Sequence, residues 1–244
     1  MALTELKGKP LGTTKVVIER GPVRVFAQAL MDNDNVYSGD NAPVPPTFPF
    51  VMSYWGSPAI AHTIMSWEFE GSLPLAISIE TRKSKGQEYS AVKGFFRHYE
   101  IIYVAADERD VVRLRTNYRG EDDYLYRLKV TPRQARALLM DYVASMNALV
   151  KTPEFYNALV DNCTTSIRQH VTHLDPSAPR ADWRLLANGY GDQMLYERGR
   201  IDTRLPFAEL RARSDITARA KALDQDPAFS RGIREGLPDP LKAN

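Results

Sequence analysis

Cysteine, net charge and long apolar runs are all scarce in this sequence. The 244 residues include one cysteine, Cys163, so an internal disulfide and a zinc site built from several cysteines are both excluded. The 32 basic and 30 acidic side chains leave a net charge of +2, which gives no electrostatic reason to expect a nucleic-acid partner. No segment approaches the ~18 uninterrupted apolar residues of a membrane-spanning helix.

The first ten residues also lack the features of an export signal. Residues 1–10 contain no apolar core and no small-residue cleavage motif. From this absence we expect a cytoplasmic protein. The composition, 43% hydrophobic and 25% charged, is that of an ordinary globular chain, whose length allows one large domain or two small ones.

The chain changes character near residue 57. Four prolines fall within residues 43–49, where the backbone must be extended or turn-like. From residue 60 onward, alternating apolar and polar residues predict strands. The predicted strands are 62–70, 75–82, 99–104, 111–116 and 124–130. The sequence therefore predicts an α+β fold with an antiparallel sheet and packed helices.

A long amphipathic helix is predicted after the last of these strands. Thr131 is a favourable N-cap, Pro132 suits the first helical position and Gln134 completes a capping box. Apolar residues then recur at helical spacing up to Val150.

Cys163 is either an inert core residue or a reactive thiol. The polar pair Asp161–Asn162 before it can cap a helix that begins at or just after Cys163. A thiol in the first helical turn faces unpaired backbone N–H groups and the positive end of the helix dipole, which favour the thiolate. The same N–H groups could hold an oxyanion.

A cysteine nucleophile needs a base, and the sequence offers four histidines. His98 is interpreted as a surface or packing residue. His170 and His173 have the i, i+3 spacing of a metal site, but no third ligand at a convincing spacing is visible. We therefore predict neither a metal nor a cofactor. His62 lies at the start of a predicted strand.

A hairpin between residues 62–70 and 75–82 would bring His62 close to a carboxylate. Pairing across the turn at 71–74 places His62 opposite a residue within about 80–82, so its neighbour would be Glu80 or Arg82. Cys163, His62 and Glu80 can thus be assembled as nucleophile, base and orienting group, with sulfur and ring nitrogen within about 4 Å. Alternatively, Glu80 pairs with Arg82 or a lysine on a solvated face.

Arginines are frequent among the predicted strands and turns. Arg113 and Arg115 would share one strand face, which is interpreted as a solvated face paired with Glu108, Asp110 and Glu121. The alternative is a site for an anionic headgroup, because guanidinium matches phosphate well.

Residues 58–230 resemble the lipoprotein N-acyltransferase (Lnb) family of bacterial envelope proteins. The matching segments are Ala61–Thr63, Leu75–Arg82, Tyr89–Ser90, Tyr99–Glu100, Ala106–Asp110, Tyr124–Tyr126, Phe155–Asn157 and Asn162–Thr165. The family is similar to circularly permuted papain-like and NlpC-type enzymes. The resemblance implies Cys163 as nucleophile, His62 as base and Glu80 as third member. Arg82, Tyr89, Asn162 and Thr164 lie in the matching segments and are expected to bind substrate.

Residues 1–57 resemble the amino-terminal part of a MaoC-like hot-dog dehydratase. The similar run is residues 17–50, especially Gly21–Ala27 and Asp32–Tyr37. Tyr37 stands where hydratases of this class place a catalytic histidine. These 57 residues are too few for a hot-dog sheet and helix, so we expect a truncated, inactive segment joined to an acyltransferase domain at residues 58–244.

Three functions remain open from the sequence. The first is a thiol-dependent acyltransferase that takes an acyl chain from a phospholipid and passes it to a lipoprotein amine, at a membrane surface but without a transmembrane segment. Family members face the envelope or periplasm. The second is a cysteine peptidase or amidase that uses the same pair with water as acceptor. The third is a non-catalytic, thioester-binding hot-dog module.

Overall fold

A computed structural model describes residues 48–69, 72–83, 99–157, 162–178 and 182–241. Predictions that concern residues 1–47, Tyr89 and His98 lie outside these ranges.

Five antiparallel strands form one sheet with the order β4-β3-β2-β1-β5. The strands are β1 Pro49–Tyr54, β2 Ala61–Trp67, β3 Leu75–Arg82, β4 Glu100–Asp107 and β5 Asp122–Arg127. β1 and β2 are buried along their whole length because helices cover both faces of the sheet. The predicted α+β class, an antiparallel sheet with packed helices, is confirmed.

Seven α-helices are present in the described ranges. They are α1 Glu108–Arg113, α2 Pro132–Lys151, α3 Cys163–Leu174, α4 Gly191–Glu197, α5 Phe207–Ser214, α6 Thr217–Ala222 and α7 Phe229–Gly232. A π-helical segment, Leu114–Arg119, continues α1, and 3₁₀ turns occupy Trp183–Leu185 and Asn188–Tyr190. None of the helices in these ranges is long and apolar enough to cross a membrane.

Alternate residues along each strand contact different helical layers. On one side, Met65, Trp67 and Ile77 pack with Leu138 and Tyr142 of α2. The Trp67 indole N–H also donates to the Ala135 carbonyl at 2.9 Å. Thr131 caps α2 with the predicted capping box, so the sequence prediction for this helix is confirmed.

The second layer consists of α1, α6 and α7. Ile64 and Ala76 of the sheet pack there with Ile216, Ala220 and Phe229. A buried ion pair joins the carboxyl-terminal part of the chain to α1: Arg234 Nη2 donates to Glu108 Oε1 at 2.6 Å. Glu108 also accepts from Ser66 Oγ of β2 at 2.8 Å. Glu108 therefore links Arg234 to β2 through hydrogen bonds.

The strand predicted at 111–116 is wrong, because these residues are helical. The Asp107 side chain accepts from the N–H of Arg109 at 2.8 Å and so starts α1 as its N-cap. The segment then turns into β5 at Gly120, whose φ of 70° favours glycine. Arg113 and Arg115 consequently do not share a strand face.

The predicted domain boundary between residues 57 and 58 falls in the connection between β1 and β2. β1 pairs with β2 in the register Phe50↔Met65 and Ser53↔His62. A boundary there would cut through a hydrogen-bonded hairpin. β1, residues 49–54, therefore belongs to the same sheet as β2.

Candidate active site

Cys163 is the first residue of α3, and its position is set by a cap. Asn162 Oδ1 accepts from the N–H groups of Thr164 and Thr165, both at 2.9 Å. Thr165 Oγ1 accepts from the Asn162 N–H at 2.7 Å, which completes a capping box. The prediction that Asn162 caps a helix starting at Cys163 is confirmed. The sulfur therefore lies in the electropositive first turn.

The thiol faces the point where two strands separate. The β2–β3 pairing runs from Trp67↔Leu75 to Ile64↔Ser78. One residue beyond that last pair, the backbone of Thr63 faces the Cys163 thiol and lowers its pKa. The neighbouring His62 interacts with the same thiol, since it lowers the pKa of Cys163 and Cys163 raises the pKa of His62. The roles of nucleophile and base that the sequence predicts for Cys163 and His62 stay predictions.

The other nitrogen of the His62 ring is held by two side chains of β3. Nε2 lies 2.7 Å from Ser78 Oγ and 3.2 Å from Glu80 Oε1. Ser78 donates its one hydroxyl hydrogen to Glu80 at 2.8 Å, so it must accept from Nε2–H. The proton on Nε2 leaves Nδ1 as the nitrogen available to the thiol.

The predicted hairpin partner of His62 is Glu80 rather than Arg82. Arg82 instead donates to Glu100 at 2.7 Å, and its side chain is 62% exposed. The structure therefore does not bring Arg82 to the thiol. Tyr89 lies outside the described residues, and Asn162 contacts the helix amides as their cap.

Glu80 is held by a buried arginine that sequence reasoning did not assign to the site. Arg115 Nη2 donates to Glu80 Oε1 at 2.8 Å, and Nη1 donates to Glu121 Oε2 at 2.7 Å. The Arg115 side chain is only 4% exposed. The predicted pairing of arginines with Glu121 is present for Arg115. It lies on a buried surface and not on the solvated face that the sequence predicts. The sequence gives no local signal for the contact between Arg115 and Glu80. Arg115 lies in a helical segment that the sequence predicts as a strand.

Asn188 is a second residue that the sequence did not indicate. Its Oδ1 accepts from the Ala61 N–H at 2.9 Å, which turns Nδ2 toward the thiol. Nδ2 lies 3.7 Å from Cys163 Sγ and 3.3 Å from Thr164 Oγ1. Thr164 thus lies beside the sulfur, with its Oγ1 3.8 Å from Sγ.

The backbone after Asn188 approaches the sheet closely. Gly189 N–H donates to the Ala59 carbonyl at 3.0 Å, and the Gly189 carbonyl accepts from Tyr54 OH at 2.7 Å. A Cβ at position 189 would lie 2.1 Å from the Pro58 carbonyl oxygen. Glycine is therefore required there, and the contact fixes Asn188 over the thiol.

The charges of the site favour a thiolate paired with an imidazolium. Burial by itself raises the pKa of the Cys163 thiol, but the charge of His62 and hydrogen bonds from His62, Thr63 and Thr164 lower it from 9.0 to about 7. Burial and Arg115 lower the pKa of His62, but Glu80 and Cys163 outweigh them and raise it. Burial raises the pKa of Glu80, and His62 and Arg115 pull it below its ordinary value.

Apolar side chains are exposed close to the site. Trp183 and Leu186 are 64% and 56% exposed, and they line an open cleft together with Thr165 of the α3 first turn. The Trp183 ring packs against that of Tyr190 at 5.4 Å. This cleft, which reaches the first turn of α3 and is also lined by Asp182 and Arg184, offers contacts to an apolar ligand.

The fold and the site together define a class: α+β proteins that place a cysteine at a helix start against a histidine on a sheet strand. Comparison with known families is more specific. The family model described as the Lnb N-terminal periplasmic domain matches residues 38–189. This match covers more than half of the chain, which therefore belongs to the Lnb family. No curated protein matches the chain, and no solved structure matches it.

The match corrects two sequence predictions. It begins at residue 38, inside the segment compared with hot-dog dehydratases, and that resemblance finds no support. The family's domain is described as periplasmic, so the predicted cytoplasmic location is wrong. The match includes Cys163, His62, Glu80, Arg115 and Asn188.

The pKa of the thiol predicts how the reactivity of Cys163 depends on pH. Because the thiolate is the form that is alkylated, the rate with iodoacetamide should rise with a midpoint near pH 7. In His62→Ala the midpoint should move toward the ordinary value of 9.0 or above. The reaction can be followed by intact mass, since the chain has one cysteine. Arg82→Ala is the control and should leave the midpoint unchanged. A wild-type midpoint near 9 would contradict the assignment.

Proposed function

We propose that this protein is a cysteine-dependent acyltransferase in which Cys163 is the nucleophile and His62 the base. The observation that carries the proposal is the position of His62, which interacts with the Cys163 thiol while its Nε2 lies 2.7 Å from Ser78 Oγ and 3.2 Å from Glu80 Oε1. This is the arrangement that an activated nucleophile needs: a base within hydrogen-bond reach, itself oriented by a third group.

The first half-reaction acylates the cysteine. The Cys163 thiolate attacks the carbonyl carbon of an ester, and a carbon–sulfur bond forms as the carbonyl oxygen becomes an oxyanion. When the intermediate collapses, the carbon–oxygen bond to the alcohol breaks. The imidazolium of His62 gives its Nδ1 proton to the departing alkoxide. The products are a thioester on Cys163 and a free alcohol, and His62 is left neutral.

The second half-reaction passes the acyl chain to an amine. The amine nitrogen attacks the thioester carbonyl, and neutral His62 takes a proton from it. The carbon–sulfur bond then breaks and the thiolate is restored beside the imidazolium. The product is an amide. Water in place of the amine would give a fatty acid, so acceptor choice separates a transferase from a hydrolase.

Glu80 acts through His62 rather than on the substrate. Glu80 Oε1 accepts from Ser78 and Arg115 and lies 3.2 Å from Nε2. A carboxylate in this place fixes the ring tautomer and stabilises the imidazolium that forms with the thiolate. Arg115 keeps Glu80 ionised and in position.

Two donors are available for the oxyanion. The Asn162 cap takes the N–H groups of Thr164 and Thr165, which leaves the Cys163 N–H as the first-turn amide that the cap does not use. The second donor is the Asn188 side-chain amide, whose Nδ2 lies 3.7 Å from the sulfur. An oxyanion formed beside the sulfur would have both groups as donors.

The substrate class that we propose rests on the family and on the cleft that reaches the first turn of α3. The Lnb family is one of lipoprotein N-acyltransferases, and the exposed Trp183 and Leu186 suit an acyl chain. We propose a phospholipid as the acyl donor and the amino terminus of a lipoprotein as the acceptor.

Acyl transfer measured in mixed vesicles tests this proposal. Purified protein is incubated with a diacyl phospholipid and a synthetic lipopeptide that carries a free amino-terminal cysteine, and acylated peptide is separated from free fatty acid by mass spectrometry. The wild type should form N-acylated peptide. Cys163→Ser should lose at least ~10³-fold of the rate while its circular dichroism is unchanged.

Other outcomes would overturn the proposal. Full activity in Cys163→Ser would remove the thiol from the mechanism. Free fatty acid as the sole product, formed by wild type and not by Cys163→Ser, would assign a hydrolase with the same pair. If neither acylated peptide nor free fatty acid forms, the protein would be a binding module without this catalytic activity.

The Asn188 amide has its own expected effect on catalysis. Asn188→Ala should lower kcat by about 10²–10³-fold with KM little changed, because an oxyanion donor acts in the transition state. Tyr54→Phe is the matched control: it removes the hydrogen bond to the Gly189 carbonyl and loosens the same segment, but it keeps the amide. Equal losses of kcat in both variants would mean that Asn188 has only a structural role.

A further inference from the structure

A cluster of two imidazoles and one carboxylate lies apart from the thiol. Asp141 of α2 meets His170 and His173 of α3, and one ligand atom from each of the three lies within 4.8 Å of the others. Asp141 Oδ2 is 2.6 Å from His170 Nδ1 and 3.1 Å from His173 Nδ1. The sequence shows only the i, i+3 histidines, because the carboxylate comes from another helix.

We propose that Asp141, His170 and His173 form a binding site for a zinc-type divalent cation. Two imidazole nitrogens and one carboxylate oxygen are a ligand set that zinc accepts, with water in the fourth position. Tetrahedral bonds of about 2.0–2.1 Å separate ligand atoms by roughly 3.3 Å. The two separations from Asp141 Oδ2, 2.6 and 3.1 Å, are close to that value, and all three ligand atoms lie within 4.8 Å of one another.

The surroundings of His170 have the features of a metal ligand's environment. His170 is 2% exposed, and its ring stacks on Tyr142 with centroids 3.9 Å apart. Nε2 lies 2.8 Å from Tyr103 OH. A ligating imidazole typically uses its second nitrogen in this way, which fixes the ring and directs the other nitrogen at the ion. Here the direction is toward Asp141.

The cluster is open to solvent on one side. The side chains of His173 and Asp141 are 60% and 21% exposed, which provides an entry path and room for a water ligand. His170 follows Cys163 by seven positions on α3, or roughly 10 Å along the helix axis. The ion would therefore not touch the thiol. It would join α2 to the helix that carries Cys163.

Zinc titration of the full chain tests the site. The Cys163→Ala variant is used as background, so that zinc cannot bind the thiol and His62. Protein stripped with EDTA is titrated with zinc chloride by calorimetry and compared with magnesium chloride. We expect one bound zinc and a raised melting temperature, since a ligand that binds the folded state stabilises it. Magnesium, which prefers oxygen ligands, should give no such signal.

Two further substitutions in that background locate the ion. His173→Ala changes a largely exposed side chain and should leave the fold intact, and Asp141→Asn keeps the shape of the carboxylate. Each should weaken zinc binding at least ~10-fold and reduce the rise in melting temperature. Zinc affinity that is unchanged in both variants would overturn the proposal. No zinc binding by the background protein would also overturn it, and the cluster would then be a hydrogen-bonded contact between helices.

Discussion

The pairing between β2 and β3 ends at Ile64 and Ser78, so residues 62 and 63 of β2 lie beyond the last pair. The rest of the site depends on this end of the pairing. The backbone of Thr63 faces the Cys163 thiol, and the neighbouring His62 interacts with that thiol as well as with Ser78 and Glu80 of β3. The thiol reaches this place because Asn162 starts α3 with a complete capping box. A small shift of the helix start would separate the sulfur from both groups.

Ionisable groups of opposite sign follow one another across the site, from Cys163 at the start of α3 through Glu80 of β3 to Glu121. The thiolate, the imidazolium, Glu80, Arg115 and Glu121 follow one another, and Arg115 bridges the two carboxylates at 2.8 and 2.7 Å. Each buried charge therefore has a neighbour of opposite sign, without which its burial would be costly. The same chain assigns the protons: Ser78 gives its hydrogen to Glu80 and fixes Nε2–H on His62. Despite its burial, the thiol has a lowered pKa because of His62, whose own pKa is raised by Glu80 and Cys163.

Local signals predicted the parts of the site that are built from neighbouring residues. The caps of α2 and α3 follow from Thr131 and Asn162, and the approach of Glu80 to His62 follows from the spacing of one hairpin. Arg115 and Asn188 could not be found in this way, because tertiary packing brings them to the thiol from distant segments. The six residues 111–116 are too few to separate strand from helix periodicity, so Arg115 was placed on the wrong element. Asp141 was missed for the same reason as Asn188: its partners lie on another helix.

The central claim is that Cys163, activated by His62, carries the acyl group during transfer. The most direct measurement is to mix the protein with a fatty-acyl p-nitrophenyl ester in the absence of any amine, quench in acid, and locate the acyl group by peptide mass mapping. The account predicts one hydroxylamine-labile acyl group on Cys163 in the wild type, formed far more slowly in His62→Ala. An acyl group on another residue, or acylation of Cys163 at the same rate without His62, would contradict it.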